Sequence, residues 1–314
     1  MGASMKFAVD TWGVGYDPAP DASQLEPATS DVDPTVELPV SQWRPIVPNP
    51  LYTLPQRVAF VDGIRRIDAS ILIDSDGDVR PGICASVAAG VVVTSGGTHA
   101  QVVDVRIERC VFGTSVVEAI DTRFGTYQPR ICSDDDRESL YLGIHQAMVE
   151  LELDCGDDQD AELIVFDGPL RGRHVAAGVG YIKAQHVRYL PEPTQQVVYG
   201  LGTGQRSPLF VVGSGGRNRW SWYVRLPGPI THGLSGIVRC ELPGVGSIDD
   251  AIARSDVVSR TLVRFASEPH KDPRAPQNLY PIAGLERTLR HRLGDAALFQ
   301  RQLLLAASER RSVP

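Results

Sequence analysis

Arg57-Val-Ala-Phe-Val-Asp62-Gly63 and Glu162-Leu-Ile-Val-Phe-Asp167-Gly168 are the two stretches on which the fold turns. Each is a short, continuous apolar run ending in Asp-Gly, the pattern of a buried strand closed by a turn. Strands buried on both faces belong to sheets covered by helices. In open α/β sheets, ligand chemistry gathers outside the carboxyl ends of the strands. Asp62 and Asp167 are therefore candidates for one site. Two unpaired carboxylates side by side repel. A hard divalent cation such as Mg²⁺ or Mn²⁺ relieves the conflict, taking one or two carboxylates plus phosphate oxygens. The structural alternative for each Asp-Gly is simply the opening of a turn.

Outward from the first stretch, Ile67 to Ile73 predicts a second strand and Asp74-Ser-Asp-Gly-Asp78 a hairpin turn. Ile83 to Thr94 and His99 to Phe112 predict further strands. The Asp-rich turn is no EF-hand loop, because Gly77 falls two places early and Ala85 stands where the bidentate Glu belongs. Ser133-Asp-Asp-Asp136 opens a helix predicted to run to about Glu152, with Ile144, Ala147, Met148 and Leu151 as its apolar face. Strands are expected around 178–190, 197–201, 208–213 and 220–226. Helices are expected over Asp249 to Phe265 and Gly284 to Arg310, the second broken near Gly294. Strands, a helix, a strand and mixed elements closing in helix indicate an α/β mixed sheet flanked by helices. Residues 12–57 contain Pro18, Pro20, Pro27, Pro34, Pro39, Pro45, Pro48, Pro50 and Pro55. Residues 1–56 accordingly read as an extended Pro-rich N-terminal arm and 57–314 as one domain.

The 314 residues are 42% hydrophobic and 22% charged, which excludes wholesale disorder, collagen and coiled coil. No apolar run approaches the ~18 residues of a membrane span, and the N-terminus lacks a signal-peptide pattern. Five widely spaced cysteines (Cys84, Cys110, Cys132, Cys155, Cys240) form no CxxC pair, which argues against zinc or a disulfide framework and for a reducing cytoplasm. The net charge of −7 counts against a polyanionic partner until it is divided by segment. Residues 133–162 hold eleven acids against one base, whereas 167–239 hold nine bases against two acids. Residues 254–314 are also basic, eleven against six. The acidity lies in the arm and one block, and the rest is positive enough to meet a phosphate backbone.

A third carboxylate would complete a metal site, and the helix near 134–152 offers Glu138, Glu150 and Glu152. Glu138, in the first turn beside the apolar stripe, is preferred; its structural role would be the acid of a capping box with Asp135. Lys183 is one of only three lysines and shares strand parity with Tyr181, so it is a candidate for contacting a scissile phosphate. Its structural alternative is an edge-strand lysine that snorkels. Arg217, Arg219 and Arg225 interleave with Trp220, Trp222 and Tyr223, a pattern suited to stacking unpaired bases or to core aromatics beside surface arginines. Gly200-Leu-Gly-Thr-Gly204 leads into Ser207-Pro208 rather than a helix, so it makes a poor dinucleotide fingerprint. No GxSxG, Walker or HExxH motif occurs.

Taken in order, Phe60-Val-Asp62-Gly63, the acid near 138, Leu163-Ile-Val-Phe-Asp167-Gly168-Pro169-Leu170, Gly180-Tyr-Ile-Lys183 and Asn278-Leu-Tyr280-Pro281 resemble the NurA nuclease family over roughly 57–295. The resemblance implies an RNase H-like fold and metal-dependent DNA cleavage with two Mn²⁺ (or Mg²⁺) ions. It further implies a homodimer acting in DNA end resection and double-strand break repair beside a hexameric HerA-type ATPase. Asp62, Glu138 and Asp167 then correspond to the metal ligands, and Lys183, Tyr280 and His291 to auxiliary catalytic residues. Arg171, Arg173, Arg188, Arg217 and Arg219 would track the DNA backbone, and Trp222 would stack a base. The chain departs from the family in having Ile64 after Asp62-Gly63, and in placing His291 farther from Tyr280, with Thr288 at the nearer position. The alternatives are a non-catalytic adaptor on a hexameric ATPase and another RNase H-like nuclease of Piwi type.

Overall fold

A computed structural model describes residues 6–10, 31–75, 77–96, 99–114, 117–170, 175–183, 188–214, 217–230, 233–272 and 274–311. The first Asp-Gly stretch and the Ile67 to Ile73 run form one long strand, β3 (Arg57–Ser75), paired antiparallel with β4 (Asp78–Ser95). β4 in turn pairs antiparallel with β5 (His99–Gly113). The register shifts between Ile67 and Ala69. This bulge moves the odd-numbered residues from one face to the other. Ala59, Val61 and Ile67 pack in one core cluster, and Ala69, Ile71 and Ile73 in another.

The helix after β5 is α1 (Arg137–Asp157), five residues longer at its C-terminal end than the apolar pattern indicated. Its N-cap is Asp136 rather than Asp135: the Asp136 carboxylate accepts from the Ser139 amide at 2.9 Å. The chain then returns as β8 (Leu163–Asp167), parallel to β3, with Val61 opposite Phe166. β9 (Gly178–Ile182) lies parallel to β8 on its other side. Between β5 and α1 lie the short β6 (Ile120–Thr122) and β7 (Gly125–Ile131). Beyond β9 follow β12 (Ile237–Pro243), β11 (Arg217–Arg225), β10 (Phe210–Ser214) and β2 (Asp31–Asp33). The full order is β2-β10-β11-β12-β9-β8-β3-β4-β5-β7-β6, with β1 (Lys6–Asp10) on the outer half of β3. The protein is thus an α/β fold built on one large mixed sheet.

Strand alternation divides the core. Ala59, Val61, Ile164 and Phe166 pack under α1 with Leu140, Ile144, Ala147 and Leu151. Val58, Phe60, Leu163 and Val165 face the opposite layer, α3 (Ile248–Val263) and α4 (Tyr280–Leu293), through Leu262, Phe265, Leu285 and Leu289. The expected break at Gly294 is present: its φ of +78° ends α4 and α5 (Ala296–Arg311) follows.

Two local expectations are corrected. Residues 197–201 are not a strand, because α2 (Glu192–Tyr199) occupies most of that segment, with Pro193 in its first turn. The 178–190 strand ends at Ile182. β12 was hidden by Arg239 and Glu241, which are buried as a pair. The described part of the Pro-rich segment is docked on the domain. Glu37 takes the Arg206 guanidinium at 2.9 Å, and Trp43 is buried beside Phe210. All five cysteines are free, and no helix among the described residues is long and apolar enough to cross a membrane.

Candidate metal centre

Strand parity brings the two aspartates together. Asp62 continues the series Val58, Phe60, and Asp167 continues Leu163, Val165, so both side chains leave the sheet on the α4 side. They do so where β8 stops pairing with β3. Glu286 joins them from α4: ligand oxygens of Asp62, Asp167 and Glu286 all lie within 4.8 Å of one another. Oxygens on opposite sides of one octahedral Mg²⁺ are about 4.2 Å apart, so small side-chain adjustments fit the trio to a single hard cation.

Gly90 lets α4 come close enough. It stands opposite Asp62 on β4, and a Cβ there would lie 3.1 Å from Leu285 Cδ1 and 3.1 Å from Leu289 Cδ2. Leu285 immediately precedes Glu286.

The surrounding polar groups form a connected belt. Lys183 follows β9 on the same face and donates to Asp167 Oδ2 at 2.5 Å and to Asn278 Oδ1 at 2.9 Å. Asn278 donates to Asp272 Oδ2 at 2.6 Å, and Asp272 Oδ1 accepts from the Arg274 amide at 2.8 Å. The Arg274 guanidinium closes the belt on Glu286 with two bonds of 3.0 and 2.6 Å. Asp167 and Glu286 each have a cationic partner. Asp62 has none of its own: Oδ1 accepts from the Gly63 amide at 2.9 Å, and buried Oδ2 has no hydrogen-bond partner among the described residues. Burial holds the Asp62 carboxyl well above the usual range, the charge of Asp167 adds to this, and Lys183 opposes it. Burial also raises Asp167, with Lys183 pulling the other way. A buried carboxylate with one unpartnered oxygen, beside two further carboxylates, is a donor set for a hard cation.

Of the predicted residues, Asp62, Asp167 and Lys183 meet here. Glu138 does not. It is exposed in the first turn of α1, roughly 21 Å along the helix from Glu152. Glu150 is on the surface with Arg130, at 3.0 Å. Glu152 is buried but lies over the other face of the sheet, where a Cβ on Gly63 would sit 2.6 Å from its Oε1. Its charge nevertheless contributes to raising Asp62. Tyr280 begins α4, and its hydroxyl accepts from Lys271 at 3.2 Å, outside the carboxylate trio. His291 is exposed in the last turn of α4, past Glu286 by five residues and therefore on another side of the helix.

Trp222 cannot stack a base: it is wholly buried, and its indole donates to Ser259 Oγ at 3.0 Å. Arg219 is half-buried against Glu241, and Arg188 is exposed beside Glu192. Arg171, Arg173 and the Arg217 side chain lie outside the described residues.

Glu286, Arg274, Asp272 and Asn278 were not singled out as site residues from the sequence. The one local signal was Asn278-Leu-Tyr280-Pro281 ahead of an apolar helical stripe. No protein-family model matches the chain, and no curated protein matches it.

Proposed function

We propose that the protein is a divalent-cation-dependent nuclease that hydrolyses phosphodiester bonds of DNA, with Asp62, Asp167 and Glu286 as the cation ligands. The observation that carries this reading is the cluster of Asp62, Asp167 and Glu286, whose ligand oxygens lie within 4.8 Å of one another, with one buried Asp62 oxygen lacking a hydrogen-bond partner among the described residues. The order β5-β4-β3-β8-β9, an antiparallel meander followed by a helix and a parallel return beside the first strand, supports an RNase H-like core. With the resemblance in sequence, the proposal extends to Mn²⁺ as cation, and to a homodimer processing DNA ends beside a HerA-type ATPase in the cytoplasm.

Bound there, a cation would polarise a phosphoryl oxygen and lower the pKa of a coordinated water. The chain's own residues prepare the site. Gly63 fixes one oxygen of Asp62 and leaves the other without a hydrogen bond among the described residues. Lys183 holds Asp167 in place and supplies positive charge where negative charge develops on the phosphate. Asn278 orients Lys183 and is itself fixed by Asp272. A non-catalytic adaptor has no need of a third carboxylate carried in from another helix.

The test is cleavage of single- and double-stranded DNA with Mn²⁺ or chelator present, for the wild type and for Asp62→Ala and Asp167→Ala. Cleavage dependent on Mn²⁺ and lost in both variants is expected. Activity that persists in both overturns the assignment.

A further inference from the structure

We infer that Arg274 exchanges partners at this centre, releasing Glu286 when a divalent cation occupies the carboxylates and taking the phosphate of a bound substrate. The inference rests on the function proposed above and deepens it.

The two residues of the pair differ in their surroundings. The Arg274 side chain is 53% exposed and that of Glu286 13%. Glu286 is held on α4 and faces the buried aspartates, whereas the guanidinium lies at the solvent edge of the cluster. The root of Arg274 is anchored through its amide on Asp272, with Nε 3.6 Å from the same carboxylate. A fixed root and an exposed head allow the guanidinium to swing while its position in the chain is kept.

Charge supplies the drive. Lys183 and Arg274 balance Asp167 and Glu286, and the planar fork covers both oxygens of Glu286. A dication bound to the same carboxylates repels the guanidinium, and Glu286 has less negative charge left to offer it. The fork that fits a carboxylate also fits a phosphate. A phosphate brought to the cation restores an anionic partner within reach of Arg274. Arg274 would thus be a guard on the carboxylates and, once a cation is held there, a contact to the substrate.

A merely structural Arg274, one that only props up Glu286, makes the opposite prediction for metal affinity. The experiment therefore compares wild type, Arg274→Ala and Arg274→Lys in two measurements. Mn²⁺ binding to the protein alone is followed by electron paramagnetic resonance. Binding of a fluorescent single-stranded oligonucleotide is followed by anisotropy in Ca²⁺. Exchange predicts that Arg274→Ala binds Mn²⁺ at least as tightly as wild type yet binds the oligonucleotide about tenfold more weakly, with partial recovery in Arg274→Lys. Weaker Mn²⁺ binding in Arg274→Ala, or unchanged oligonucleotide binding, overturns the inference and leaves the nuclease reading standing. Failure of the wild type to bind Mn²⁺ removes both.

Discussion

Gly90 stands directly across the β3–β4 ladder from Asp62, and its missing side chain makes room for the helix that delivers Glu286. Asp62 and the glycine are cross-strand partners, so the approach of α4 and the position of the carboxylate are set by one register. An added methyl would also meet the Asp104 carbonyl at 2.8 Å, a backbone atom that cannot rotate aside. Gly90→Ala is expected to cost about 1–3 kcal/mol as overpacking. It should also weaken Mn²⁺ binding by lifting Glu286. Urea unfolding and the Mn²⁺-induced shift in melting temperature measure the two effects. A variant with wild-type stability and an undiminished Mn²⁺ shift would show that α4 does not depend on this contact.

Lys183 neutralises Asp167 beside Asp62 and is steadied by Asn278. Lys183→Met leaves two neighbouring buried carboxyls without that cation. A loss of about 1.5–3 kcal/mol is expected in chelator, the scale of a hydrogen bond to a charged group. Mn²⁺ should restore much of the stability, because the ion supplies the missing positive charge, while cleavage stays lost. Urea midpoints with and without Mn²⁺ decide it; equal losses in both conditions would count against charge balance as the role of Lys183.

The carboxyls also set a pH dependence. Burial raises Asp62 and Asp167 in the folded protein. A carboxyl with a folded pKa above its unfolded value of about 3.9 keeps its proton longer in the native state. The native state then binds more protons, and stability falls as pH rises from the unfolded value through the folded one. A cation binds the ionised carboxylates and opposes that fall. Melting curves in chelator and in Mn²⁺ should therefore separate increasingly as pH rises, and Asp62→Asn should flatten the chelator series. A separation independent of pH is the contrary result.

A second buried network anchors the far end of α4. Arg66 and Asp68, with side chains 1% and 0% exposed, pair at 2.7 Å where the β3 bulge turns the strand. Ser86 and Tyr127 also donate to Asp68, at 2.5 and 2.8 Å. Arg66 in turn donates to the Gly294 carbonyl at 2.5 Å, just past the helix end. Arg66→Met strands the Asp68 charge and should cost about 3–5 kcal/mol. Adding Asp68→Asn should return part of that loss. Denaturant titration of the single and double variants checks it, and an additive double variant would contradict the coupling.

Asp62, Asp167 and Lys183 were readable because their signals are local: an apolar run fixes a strand, and parity fixes a face. Glu286 was not, because its place depends on which helix covers which face of the sheet. The helix nearest in sequence, α1, offers glutamates, yet it packs on the face opposite to the aspartates. Similarly, Val197-Val198-Tyr199 reads as strand by composition, but Pro191 and Pro193 open a helix there. Trp222 reads as a base-stacking residue beside arginines until tertiary packing buries it under Ser259. β12 carries Arg239 and Glu241 in a fully buried run, a pairing that no single-strand pattern reveals.

The most direct measurement compares Glu286→Gln with Glu138→Gln in Mn²⁺-dependent cleavage of linear DNA. Both substitutions keep the side chain's size and remove its charge. Loss of cleavage in Glu286→Gln with wild-type cleavage in Glu138→Gln is the predicted result. Full activity in Glu286→Gln, or its loss in Glu138→Gln alone, would contradict the assignment of the centre to Asp62, Asp167 and Glu286.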